Sequence, residues 1–212
     1  MKNNKLELIV KIVFFGALWG VVEASLGYVL HFLPMLISGT IMFPIVIFIL
    51  YHAYKSMGTR KAIFFVGMIA IAIKSTNLLL PMLPAVKTIN PMIAMFLQTL
   101  LVFAIIPMLE SDNNIAKVSA VMVASIGWRL GVIGYFIVNY YMTGFFSFRL
   151  ESFETIFTFT AIEGLVSGLL AIVLVIGLNK IKSFRKIDRI NIHPLVSALT
   201  LVLALVFTLI KF

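Results

Sequence analysis

Apolar runs of about 20 residues recur along nearly the whole chain, and few folds accommodate that pattern. They fall at roughly 8–33, 35–54, 62–83, 89–109, 115–142, 153–179 and 195–210. As a helix, about 20 residues at 1.5 Å each cross the ~30 Å hydrocarbon core of a bilayer. The runs do not alternate polar and apolar positions, as the strands of a membrane barrel do. At 62% hydrophobic residues and a mean hydropathy of +1.12, a water-soluble domain would leave too much apolar surface exposed. The reading is all-α: a polytopic protein of the cell membrane, a bundle of six to seven transmembrane helices. One domain covers 1–212, with a core bundle over 8–180 and an extra C-terminal helix over 194–212. The first run is too long for a signal-peptide core and no A-x-A site follows it, so no cleaved leader is expected.

The breaks between runs carry turn chemistry. Pro34 separates the first two so closely that they must form a hairpin or a re-entrant piece. Residues 55–61 hold Gly58 and three cations, 84–91 form a Pro-bounded turn, and 111–114 form a polar turn. Residues 147–152 read as an amphipathic loop, and 180–189 is the longest polar stretch.

The net charge of +9 could suggest nucleic acid, but its placement argues for topology and no nucleic-acid partner is expected. Lys2, Lys5, Lys11, Lys55, Arg60, Lys61, Lys117, Lys180, Lys182, Arg185, Lys186 and Arg189 fall on one side, twelve of the seventeen cations. Lys87, Arg149 and Lys211 fall on the other. That asymmetry places the N-terminus in the cytoplasm, and the C-terminus outside if all seven segments cross. Loop 180–189 could also attract anionic lipid, although ordinary positive-inside bias accounts for it equally well.

Four ionisable residues remain inside the apolar runs: Glu23, Lys74, Arg129 and Glu163. A charge at the bilayer centre costs at least ~2.5–3.5 kcal/mol, so such residues face a partner, a cavity or a substrate. With the orientation above, Glu23, Lys74, Gln98 and Glu163 lie between midplane and outer face, with Arg129 near the centre and Asn139 further out. Helical phase groups them with small residues. Gly16, Gly20, Glu23 and Gly27 share a stripe; so do Gly67, Ala70, Lys74, Asn77 and Pro81; so do Pro91, Ala94 and Gln98. Glu163 neighbours Gly164, Ser167, Gly168 and Ala171. Arg129 projects about 200° from Gly127, away from a stripe of Ala120, Ala124, Gly127, Gly131 and Gly134. That helix therefore has two committed faces. Glu23, Lys74, Asn77, Gln98, Arg129, Asn139 and Glu163 are the candidate solute-binding residues. Two acids and two bases also make a neutral set, so the same residues could be internal salt bridges.

Other polar chemistry is sparse. There is no cysteine, and His31, His52 and His193 have no metal-ligand spacing, so neither metal nor cofactor is expected. The only aspartates, Asp112 and Asp188, lie in loops, and no protease or hydrolase motif is present, so an enzyme is not expected. Nor is there a nucleotide-binding loop; if the protein pumps, another subunit supplies ATP. Tyr140, Tyr141, Phe145, Phe146 and Phe148 cluster at an outer end, as an interfacial aromatic belt or as a lid. Trp19 and Trp128 adjoin Glu23 and Arg129 in their runs, at depths unusual for belt residues, and could pack or stack on an Arg or a flat ligand.

Two stretches, F-F-G-A-L-W-G-V-V-E-A-S-L-G (14–27) and N-P-M-I-A-M-F-L-Q-T-L-L (90–101), together with the small helical layout, carry a family resemblance. The chain resembles the substrate-binding (S) components of energy-coupling-factor vitamin transporters over its first six segments, in layout; the seventh departs from their six-helix plan. The resemblance implies capture of a small vitamin-like solute from outside. It also implies a separate transmembrane coupling subunit with ATPase subunits, contacted through Gly16, Ala17, Gly20 and Ala24. Two other readings are a stand-alone ion-coupled carrier, with Glu23 or Glu163 binding the proton, and a structural or assembly protein.

Overall fold

The computed structural model of the chain describes residues 2–30, 35–81, 83–177 and 191–210. The Pro34 break, Lys211 and the 180–189 stretch lie outside these residues. The described chain is helical with no strand. Helix α1 is Lys2–Leu30, α2 is Met35–Met57, and α3 is Arg60–Ser75, which runs on into a 3₁₀ turn, Thr76–Leu79. Helix α4 is Val86–Leu109, α5 is Asn114–Thr143, α6 is Phe153–Gly177 and α7 is Pro194–Leu209. The first six contain stretches long and apolar enough to cross a membrane, and α7 is shorter, so the protein is a multi-pass membrane protein. The 35–57 segment is a full helix rather than a re-entrant piece.

Local chemistry sets the ends. Gly58 and Gly144 adopt φ of 66° and 72°, the left-handed conformation that ends helices and that side chains with a Cβ resist. The Gly144 amide closes α5 by donating to the Tyr140 carbonyl at 2.8 Å. Asn113 caps its start, its Oδ1 accepting from the Ile115 amide at 2.8 Å. The Pro-bounded turn is shorter than the 84–91 expected from spacing, because α4 begins at Val86 and takes Pro91 into its interior.

Helix α2 is the central element. It packs against α1, α3, α4 and α6, and 61% of its apolar window is buried, against 39–44% for the other spans. The core forms around it from Trp19, Phe43, Ile47, Leu50, Ile63 and Val102. Elsewhere small residues bring backbones together. A Cβ on Gly127 would lie 2.6 Å from Leu101 Cδ1, and one on Gly131 would lie 3.0 Å from Leu97 Cδ1, which fixes the α4–α5 seam.

The C-terminal helix docks on α1. Ser197 Oγ donates to the Val10 carbonyl at 2.9 Å, and Ala204 packs beside Gly20. Residue numbers increase together along both helices, so α7 runs parallel to α1. Opposite Gly16 stand Ile69 and the Val66 carbonyl, and opposite Gly20 stands Ile73, so α3 is parallel to α1 as well. This bears on the face expected to meet a coupling subunit. Ala17 and Ala24 are buried, and the face of Gly16, Ala17, Gly20 and Ala24 is filled by α3 and α7 of the same chain. It is not open to another subunit in this arrangement.

Candidate functional site

The polar residues separate into two groups rather than meeting in one pocket. The first lies between α1, α3 and α7. Lys74 Nζ donates to Glu23 Oε1 at 3.3 Å. Gly20, Ala24, Ala70, Ile73, Asn77 and Thr208 complete a narrow cleft around them, too tight to enclose a water-sized sphere. Asn77 stands on the 3₁₀ turn after α3, and its Oδ1 is buried with no hydrogen-bond partner among the described residues.

The second group lies among α2, α5 and α6 and is built around Arg129, whose side chain is fully buried. Its Nη1 donates to the Ser125 carbonyl at 2.7 Å and to Ser125 Oγ at 3.2 Å. Its Nη2 donates to the Gly39 carbonyl of α2 at 3.3 Å. Ser125 Oγ in turn donates to the Gly164 carbonyl at 2.7 Å, tying α5 to α6. The guanidinium sits 4.4 Å from the Trp128 ring centroid and 5.8 Å from that of Phe159, so Trp128 does stack on an Arg. Arg129 and the Gly127–Gly131 stripe thus serve opposite faces of α5, one toward α2 and α6, the other against α4.

Glu163 faces the same place. Its Oε1 accepts from Arg149 Nη1 at 3.1 Å, and Thr40 of α2 approaches the same carboxyl group. Glu163 follows directly on a π-helical stretch, Thr158–Ile162. Such a widened turn shifts the helical phase and is frequent at functional sites. Here it lets Phe159, Thr160, Glu163, Gly164 and Ser167 all face inward.

Arg149 is the residue that sequence reasoning missed. Counted from sequence among the outer-side cations, it is 8% exposed, and its guanidinium lies 4.3 Å from the Phe159 ring centroid and 5.0 Å from that of Phe148. The segment after Gly144 turns back through a 3₁₀ turn, Phe148–Leu150, whose start is capped by Ser147 Oγ, and this carries Arg149 down to Glu163. The one available signal was a lone Arg set among Phe146, Phe148 and Phe153. Two guanidiniums therefore surround one buried carboxylate.

Two candidates stay apart from both groups. Gln98 is buried on the core face of α4 beside Met95, Thr99 and Val102. Asn139 lies ten residues beyond Arg129 on α5, roughly 15 Å along the axis, and is half-buried.

The chain matches no protein-family model, no curated protein and no solved structure. What the fold defines is a multi-pass helical membrane protein with two buried charge clusters.

Proposed function

We propose that the protein is a membrane-embedded solute-binding subunit of an uptake transporter, and that Arg129, Glu163 and Arg149 form its binding centre. The observation that carries this reading is the concentration of buried polar groups without partners at one place. Trp128 Nε1, Arg129 Nε, Glu163 Oε2 and Ser167 Oγ, on the facing sides of α5 and α6, have no hydrogen-bond partner among the described residues. Leaving such a group unsatisfied costs about 1–3 kcal/mol each, a cost a bound polar solute would relieve. The family resemblance supports a vitamin-like solute captured from outside, with coupling and ATPase subunits as separate chains. A coupling subunit would then have to use a surface other than the filled α1 face, or displace α7.

Thermal unfolding in detergent against a panel of vitamins and small polar solutes tests this. A ligand at 100 times its dissociation constant should stabilise by about 2.7 kcal/mol. The response should disappear in Arg129→Lys. A panel with no response would overturn the reading.

The Glu23–Lys74 pair favours a second, structural role for the first cluster, since each charge already has the other at 3.3 Å. Glu23→Lys and Lys74→Glu should each lower the melting temperature, and the two together should restore it. If the double variant is as unstable as the worse single one, pairing alone does not explain these residues.

A further inference from the structure

We infer that the centre at Arg129 is selective for a small monocarboxylate, admitted when Arg149 gives up Glu163. This rests on the solute-binding reading above and names the class of solute.

The charge argues for an anion. Arg129 and Arg149 both lie within 6 Å of the Phe159 ring centroid. One carboxylate, Glu163, 6% exposed, joins them, paired with Arg149 at 3.1 Å. Counted over the described residues, two guanidiniums and one carboxylate leave the cluster one net positive charge in a region of low dielectric, where a single anion is strongly favoured. A monoanion balances it. A phosphate monoester, at −1.5 to −2 near neutral pH, would overshoot it. The guanidinium fork matches the two oxygens of a carboxylate, and Arg129 retains an unsatisfied Nε–H.

The entry route follows from which element holds each Arg. Arg129 is fixed in the middle of α5 by three hydrogen bonds to Ser125 and Gly39. Arg149 comes from the irregular outer segment between α5 and α6 and touches the centre through Glu163 and the two Phe rings. The Arg149–Glu163 pair closes the site. An incoming carboxylate competes with Glu163 for Arg149, so Glu163 is an internal stand-in for the ligand.

That competition gives a test with a sign. The full-length protein in detergent is titrated with acetate, propionate and benzoate, each beside its neutral amide, and Trp128 fluorescence is followed in a Trp19→Phe background. At least one acid should produce a saturable change and a rise in melting temperature that its amide does not. Glu163→Gln, which removes the competing charge, should tighten that acid roughly tenfold, whereas Arg149→Gln should weaken it by a similar factor. A cluster with a purely structural role would lose stability in both variants and bind no acid in either. Equal response to acid and amide, or tightening by neither variant, would overturn the monocarboxylate inference while leaving a solute site standing. Silence toward these probes alongside hits from the vitamin panel would do the same, and silence toward both would remove the solute-binding reading itself.

Discussion

Arg149 and Glu163 illustrate how a single residue changes meaning with its surroundings. In the sequence one is a loop cation and the other an isolated membrane acid; in the fold they are an ion pair at 3.1 Å with both side chains no more than 10% exposed. Removing one member of such a pair strands the other, which costs about 3–5 kcal/mol, far more than the ±0.5 kcal/mol usual for an exposed loop residue. Arg149→Ala should therefore destabilise by about that larger amount in denaturant unfolding, and Arg149→Ala with Glu163→Gln should recover much of the loss. A loss below 0.5 kcal/mol would mean that Arg149 is solvated rather than paired. The residues that reasoning from the runs did pick out, Glu23, Lys74, Arg129 and Glu163, could be found because a charge in an apolar segment contradicts its context. Arg149 sits where a cation contradicts nothing.

At the level of elements, glycines decide which helices touch. A Cβ on Gly67 would collide with Thr99 Oγ1 and Cγ2 across the α3–α4 seam, whereas one on Gly134 would meet nothing within 4 Å. Gly67→Ala should thus lower stability by about 1–3 kcal/mol through overpacking. Gly134→Ala should be neutral or stabilising by about 0.5–1 kcal/mol, the usual gain in helix propensity. Melting temperatures of the two variants in the same detergent check the contrast; equal losses would show that the α3–α4 seam is looser than described. The stripes of small residues were legible in the sequence, but not their partners. Gly16 and Gly20 have the spacing of an intermolecular contact, and it is α3 and α7 of the same chain that occupy it.

For the whole molecule, the parallel course of α1, α3 and α7 agrees with an odd-numbered set crossing in one direction. The cation asymmetry predicts which face is cytoplasmic. The cysteine-free chain makes this directly measurable. Asp112→Cys, exposed in the α4–α5 turn, should react with a membrane-impermeant maleimide only from the cytoplasmic side. Glu151→Cys, exposed between α5 and α6, should react only from outside. Labelling of both from one side would overturn the topology.

The sequence by itself determined that this is a helical, multi-pass membrane protein, because the length and polarity of each run are constrained by the bilayer segment by segment. It also exposed the buried charges, since their cost depends only on their own run. Only the tertiary structure decided that those charges form two clusters, that α2 is the centre, that α7 covers α1, and that Arg149 completes the Arg129 centre. Each of these depends on contacts between residues far apart in the chain, on the phase shift of the π-helical turn before Glu163 and on the turn-back after Gly144. Helical periodicity, which assumes uninterrupted helices, carries no record of either.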